Sequence, residues 1–487
     1  MSSNDDLTWR SATSLAELIR AREVSAVEVL DAHLAAVADR NGPLNVVVTL
    51  DADRARVEAG AIDQALGRGD DLGPLAGVPM TVKDSLMREG VRTTSGAPEL
   101  ADFIAPYDAA PVARVRAAGA VVFGKTNLPL YAGDVQSYNE VFGTSNNPWD
   151  VSRSVGGSSG GSAGALAAGL TPLEIGSDIA GSIRNPAAMC GVVGHKPSYG
   201  IVSARGQIPG PPGTLTQADI AVCGPMARTV ADCRLGLEIL AGADEWHEKA
   251  WMLSLPPART HDPAGLRVAV MSNDPYCPVD PEIASAIDRI AGDLESAGAH
   301  VDADARPAGF DFAKADATFT QLLGSALAGG WSPAEIERMA EQLARSERLV
   351  GDLGVAGSTL RHRAWLSANE RRMQMRRQWL EFFTDWDVLL APVAPTVAIP
   401  HDHSPNQSER TIEVAGETRP YIDLMRWMGL FGVVYLPATA VPIGVHSSGL
   451  PMALQVVGPF LEDHTCLAVA EMIEHLTGGT QRPPAYR

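Results

Sequence analysis

Residues 154–186 read SVGGSSGGSAGALAAGLTPLEIGSDIAGSIRNP, six serines among glycines and small apolar residues, and no other stretch narrows the possibilities as much. A segment of this composition is a flexible linker, a phosphate-cradling loop, or a loop that turns one of its serines into a nucleophile. The linker reading fails on context. The stretch runs straight into LAAGLTPLEIG and lies between well-patterned segments, with no long low-complexity run and no internal repeat around it.

The phosphate loop fails on one residue. Gly156 and Gly161 have the Walker spacing, but Ser162 stands where the lysine that reaches the β- and γ-phosphates belongs. No G-x-G-x-x-G occurs there either. The nucleophile-elbow pattern G-x-S-x-G fits twice, centred on Ser158 and on Ser159, and that redundancy makes it weak in so glycine-rich a segment. An elbow also needs an acid and then a histidine downstream. Asp387 and His446 are available, but nothing around them singles them out. The S-x-x-K pattern fails at each of the five lysines, Lys83, Lys125, Lys196, Lys249 and Lys314.

The rest of the 487-residue chain reads as an α/β protein. Ser14 with Glu17 and Ser25 with Glu28 have the spacing of capping boxes opening two helices. AGVPMTVKDS (76–85) alternates as a strand, APVARVRAAGA is a short helix, and VVFGKTN is a buried strand after it. Helix and apolar strand recur at LRVAVM, PEIASAIDRIAGDLESAGAHV and WDVLLAPV, which predicts helices packed on a largely buried sheet. Residues 241–383 change character to mainly helical, Arg- and Glu-rich segments, either a cap over a site or peripheral helices. With 39 basic and 58 acidic residues the formal charge is −19, which argues against nucleic acid or an anionic membrane as partner. The start, MSSNDD, lacks the basic and apolar segments of a leader, and the longest apolar run, 431–445, is short and contains two prolines, so a cytoplasmic chain with no membrane segment is expected. Five scattered cysteines form no C-x-x-C and predict neither a disulfide framework nor a zinc site.

A different serine–lysine arrangement remains. GGSSGGSAG followed by GSDIAGSIRNP resembles the signature of the amidase signature hydrolases, approximately G-G-S-S-G-G-[small]3…G-x-D-x-G-G-S-[IV]-R-x-P. Flanking segments are similar to that family too: GPLAGVPMTVKD, GKTNLP, NNPWD, GHKPSYGIVS, CGPMARTVAD and, near the end, GLPMALQVVGP. The likeness is close over about residues 70–235, loose over about 385–475, and not distinctive between. It implies one large α/β domain over residues 1–487, with a central mixed β-sheet flanked by helices on both faces.

Carried over position by position, the resemblance makes Lys83 the catalytic base, Ser158 a proton relay and Ser182 the nucleophile, 24 positions after Ser158. A serine hydroxyl attacks only when a base takes its proton, and a lysine serves as base only when neutral. Lys83 ends an apolar strand, and its neighbour Asp84 should point to the opposite face, where it need not hold the lysine charged. The resemblance further implies a cis peptide between Gly157 and Ser158, and an oxyanion hole from the backbone N–H groups of Ile179, Ala180, Gly181 and Ser182. Ala180 stands where the family has glycine. Asp178 and Arg184 are expected to brace this loop, Ala132 and Ser158 to touch substrate, and Tyr131, Gly133 and Asp134 are weaker candidates. Ser159 is expected to bond only backbone, His195 to be structural, and His401, Asp402 and His403 to be solvated rather than metal-binding.

The implied activity is hydrolysis of an amide bond in a small molecule through an acyl-enzyme, without metal or organic cofactor, in a monomer or homodimer. Esters or carbamates could be cleaved at the same site. Three rivals stand beside it: an esterase using Ser158 or Ser159, a glutamine-hydrolysing transamidase subunit, and a non-catalytic scaffold. The apolar character of YAG and of MRWMGLFGVVYLP leans towards an apolar or aromatic acyl group.

Overall fold

Helix starts follow from where the first amide groups find acceptors. Ser25 and Glu28 form the expected reciprocal box, Ser25 Oγ accepting from the Glu28 amide at 3.1 Å and Glu28 Oε2 from the Ser25 amide at 2.8 Å, at the head of the Ala26–Leu44 helix. The earlier box does not form. Ser11, not Ser14, caps the Ala12–Arg20 helix, with Ser11 Oγ accepting from the Ser14 amide. The reason lies far away in sequence: Asp232 accepts from the amides of Ala12 (2.8 Å) and Thr13 (3.0 Å), which lets the helix begin three residues early.

The computed structural model describes residues 4–345 and 353–486. Two sheets organise it. In the smaller one, β2 (Pro79–Lys83) runs parallel to β3 (Val121–Thr126), and β1 (Val47–Leu50) pairs antiparallel on the other edge of β3. The strand expected over 76–85 is thus the shorter β2, and Lys83 closes it opposite Thr126. The larger sheet contains β4 (Leu173–Asp178), β5 (Val193–Lys196), β6 (Val222–Ala227), β7 (Arg267–Val270), β8 (His300–Asp302), β9 (Val388–Pro392), β10 (Ala438–Val445) and β11 (Pro451–Val457). Its order is β8-β7-β9-β11-β10-β5-β6-β4, parallel from β8 to β9 and antiparallel from there to β4, so the sheet is mixed. The Arg184–Cys190 helix covers one face, and the Val230–Leu240 and Asp463–Thr477 helices the other. One continuous apolar core runs from Leu7 to Ile473.

The glycine–serine stretch is the seam between these sheets. Its Gly160–Ala167 helix, buried at every residue, touches β1, β2 and β3 on one side and β4 and β6 on the other. Only small side chains admit that approach. A Cβ on Gly161 would run into the Asn127 amide nitrogen and lie 2.8 Å from the Val46 carbonyl oxygen. Residues 241–383 are less purely helical than expected. They supply the edge strand β8 and its neighbour β7 as well as the Pro281–Ser296, Phe312–Leu327 and His362–Asp385 helices, while 346–352 lie outside the described residues. No helix among the described residues is long and apolar enough to cross a membrane.

This packing separates two glycines that look alike in sequence. Gly161→Ala lowers the unfolding free energy by roughly 2–4 kcal/mol, because backbone rather than a mobile side chain must give way. Gly67→Ala, in the Ala52–Arg68 helix with nothing within 4 Å of the added carbon, leaves stability unchanged or raises it by up to about 1 kcal/mol. Urea denaturation of the two variants checks this, and equal midpoints would refute the seam.

Candidate active site

Lys83 comes off the end of β2 into the space between the sheets and is fully buried. Its Nζ donates to three hydroxyl oxygens, Ser158 Oγ at 2.6 Å, Ser177 Oγ at 3.0 Å and Ser159 Oγ at 3.1 Å. Burial is the dominant influence on the amine and pulls it down from its ordinary value to about 7. Cys223, Asp178 and Glu174 pull it upward. The Cys223 thiol is itself pushed up to about 12 by burial and is uncharged near neutrality, so the two carboxylates carry that upward pull. An amine in these surroundings loses its proton near neutral pH and then has a hydroxyl 2.6 Å away from which to take another.

Asp84 turns away, as expected. Its carboxylate pairs with Lys125 at 3.7 Å and accepts from the Thr94 amide and hydroxyl at 3.0 and 2.6 Å. Ser159 corrects the expectation made of it. Besides bonding the backbone of Ser177, it is a direct neighbour of the lysine. Ser177 is the lysine's third hydroxyl partner and was not singled out by the sequence, although it lies inside the opening stretch, one residue before Asp178.

Ser158 follows a cis peptide from Gly157 and leads into the Gly160–Ala167 helix. Gly157 lies flat against the chain at 134–136, where a Cβ would sit 2.7 Å from the Gln136 nitrogen. Ser137 grips the loop from the same side, its hydroxyl donating to the Gly156 carbonyl (2.9 Å) and accepting from the Gly160 amide (3.1 Å). Behind it Asp134 is held by Arg410 (2.7 Å), Tyr421 (2.7 Å) and Tyr138 (3.0 Å), which makes Asp134 a buried support. Ala132 and Tyr131 adopt left-handed backbone, with φ of 57° and 49°, in the turn that feeds this segment. Both are half-buried, and Tyr131 donates its hydroxyl to Glu99.

Ser182 lies beside this loop. The Ser159 amide donates to the Ser182 carbonyl at 3.0 Å, and Ser182 keeps 6% of its surface exposed. The turn preceding it is organised by one carboxylate. Asp178 accepts from the amides of Gly181 (2.8 Å) and Ile183 (3.2 Å) and from Arg184 Nε and Nη2 (3.0 Å each). Burial would raise Asp178, but the Arg184 guanidinium overrides it and holds the carboxyl below its ordinary value. Arg184 also donates to the Met428 carbonyl (3.0 Å) and Gln455 Oε1 (2.9 Å). The expected brace is therefore present. One expectation changes: the Gly181 amide is spent on Asp178, so of the four amides proposed for an oxyanion only those of Ile179, Ala180 and Ser182 remain. Gly181 has φ of 114°, and a Cβ there would collide with the Met428 side chain. Ala180 is buried within the apolar core, so its extra methyl has a place.

The other sequence candidates lie elsewhere. Asp387 pairs with Arg259 and Arg267, and His446 with Ser448 and Glu282, so neither serves Ser158 or Ser159. His195 is buried between Thr439 (2.9 Å) and Asp463 (3.2 Å). His403 stacks on Tyr138, and the Asp402 amide donates to Gln136. Among the described residues no three His, Cys, Asp or Glu side chains converge as a metal site.

Comparison with known proteins identifies the family. The family model described as Amidase matches residues 28–467. A glutamyl-tRNA(Gln) amidotransferase subunit of Moorella thermoacetica is 33% identical over 501 aligned residues, covering 98% of this chain and 99% of that protein. The corresponding subunit of a Roseiflexus species is 34% identical over 490, covering 96% of each. Among solved structures, 6-aminohexanoate cyclic dimer hydrolase superposes with a TM-score of 0.79 at 29% identity over 99% of both chains. A bacterial aryl acylamidase of the amidase signature family, 24% identical, shares the fold with a TM-score of 0.78 over 96% of both. Matched by the family over most of its length and by relatives from end to end, the chain belongs to the amidase signature family of amide-bond hydrolases.

Proposed function

We propose that this chain cleaves a small-molecule amide with Ser182 as nucleophile, Ser158 as proton relay and Lys83 as neutral base. The observation that carries the reading is the 2.6 Å hydrogen bond from Lys83 Nζ to Ser158 Oγ inside a fully buried site that lowers the amine to about 7. The neutral amine takes the Ser158 proton as Ser158 takes that of Ser182, and Ser182 Oγ attacks the carbonyl carbon. The amides of Ile179, Ala180 and Ser182 are the donors for the developing oxyanion, each worth about 3 kcal/mol of barrier. Collapse breaks the C–N bond, and Ser158 delivers the proton to the leaving amine while Lys83 reprotonates Ser158. Water then attacks the ester by the same route and releases the acid. Ser159 and Ser177 support the reading as further hydroxyls that hold the amine in place.

The wall beside this loop supports an apolar acyl group. Met428 covers Gly181, and Phe319, from the helical region 241–383, packs against Gly429 next to it. Nearby guanidinium groups are already paired: Arg184 with Asp178, Arg372 with Asp219, Arg426 with Asp423. In this reading the helical region backs the acyl wall. A second reading, a glutamine-hydrolysing subunit with protein partners, is favoured by the end-to-end likeness to the amidotransferase subunits. Turnover of glutamine against neutral aryl and aliphatic amides by the isolated chain decides between them. Glutamine as the preferred substrate would overturn the first.

A fluorophosphonate labels Ser182 in the wild type, and Ser182→Ala abolishes both labelling and turnover, by at least about 10⁴-fold. Label retained in that variant would refute the nucleophile. Turnover rises as pH increases through about 7, because only the deprotonated amine is a base. Lys83→Arg, charged throughout, removes that activity at every pH, and a wild-type profile in it would exclude Lys83. Gly181→Ala lowers kcat by about 100-fold or more through its left-handed backbone and Met428, whereas Ala180→Gly stays within about threefold, since the hole uses backbone.

A further inference from the structure

Glu174 is a fully buried acidic side chain with no part in the mechanism above, and it bonds across from β4 to the strand that carries Lys83. It lies on β4, which continues through Ser177 to the turn holding Ser182. From β2 it receives the hydroxyl of Thr81, two residues before Lys83 and on the same side of that strand. Beside it Ser162, on the Gly160–Ala167 helix about one turn after Ser158, and Thr126, on β3, share a hydrogen bond of 2.9 Å between their hydroxyls, which leaves one proton of that pair for the carboxylate. The Ile175 amide completes the set at 3.2 Å. The Thr81 hydroxyl and the Ile175 amide each hold a different oxygen of the carboxyl group, which ties it to β2 and to its own strand.

On this basis we propose that Glu174 is a positioning residue for amide hydrolysis: it ties β2 to β4 beside the Gly160–Ala167 helix and supplies the negative charge against which Lys83 is poised. The inference rests on Lys83 acting as the base. The groups acting on Lys83 are the hydroxyls of Ser158, Ser159 and Ser177, Asp178 and Glu174 from β4, and the uncharged thiol of Cys223 from β6. Lys125 from β3 also feels Glu174, but it is engaged by Asp84 at 3.7 Å and by the Leu86 carbonyl. Burial raises Glu174 to about 7 against its hydrogen bonds, so it gains its charge over the range in which Lys83 loses its own.

The test is the rate of fluorophosphonate labelling of Ser182 against pH, which needs no knowledge of the natural substrate. A carboxylate near an ammonium favours the charged form, so its removal makes the lysine easier to deprotonate. In Glu174→Gln the acid limb therefore moves to lower pH by about one unit, and the plateau falls several-fold because an amide cannot accept all the bonds that the carboxylate does. Glu174→Asp keeps the charge but shortens the reach, so its limb stays at the wild-type pH while its plateau falls. A Glu174→Gln protein with native circular dichroism and an unmoved limb overturns the proposal. Should that variant not fold, Glu174→Asp decides, and a wild-type plateau there overturns it equally. A wild-type chain that takes up no label at Ser182 would instead refute the serine mechanism, so the two failures are distinguishable.

Discussion

The structure depends on keeping one lysine dry. An ammonium buried without an anionic partner in direct contact is costly, and Lys83 meets three neutral hydroxyls rather than a carboxylate at hydrogen-bond distance. Its protonation balance is therefore set by burial, with carboxylates further off as counterweight. Lys125 is the contrast. It too is fully buried, and burial lowers it as well, but it has Asp84 at 3.7 Å. The two lysines come from adjacent strands of the small sheet and are equally buried, and they part in what each faces, three hydroxyls for Lys83 and a carboxylate for Lys125.

Keeping Lys83 dry requires backbone to close around it, and that explains the glycines of the central stretch. Gly157 lies against residues 134–136 and Gly161 against Asn127, so the loop and its helix approach both sheets more closely than side chains would allow. The segment at 134–138 is in turn fixed by Arg410 and Tyr421, more than 270 residues away in sequence. Electrostatic support and close packing are thus one device. The ion pair of Asp134 and Arg410 holds the surface against which the glycine loop is pressed.

Much of this was legible in the residues. Lys83, Ser158 and Ser182 could be named from motif alone, the alternation of helix and apolar strand gave helices on a largely buried sheet, and the family resemblance implied that the sheet is mixed and covered on both faces. What the chain does not display locally is partnership at long range. Ser14 and Glu17 have the spacing of a capping box, yet Asp232 decides where that helix begins. Ser159 looked like a loop serine because its contact with Lys83 exists only once the loop folds back on β2. The Gly181 amide looked like an oxyanion donor because the pull of Asp178 on it depends on the tightness of a turn. Ser177 carried a weak signal, a serine beside an expected brace, whereas Arg410 and Tyr421 carried none.

The brace around Ser182 shows how such a site can change specificity without losing its chemistry. Arg184 joins the turn before Ser182, through Asp178, to the Met428 carbonyl and Gln455. The same guanidinium therefore positions the backbone of the turn and the helix whose Met428 side chain covers it. Because the contact to the helix is with a main-chain carbonyl, the side chain at 428 can vary in size while the turn keeps its shape. Ala180 fits the same logic. Its methyl is absorbed by the core, and its amide, the group of chemical interest, is untouched by the replacement of glycine. In the proposed mechanism, backbone donors held by a buried ion pair leave the neighbouring side chains free to define which substrate is accepted.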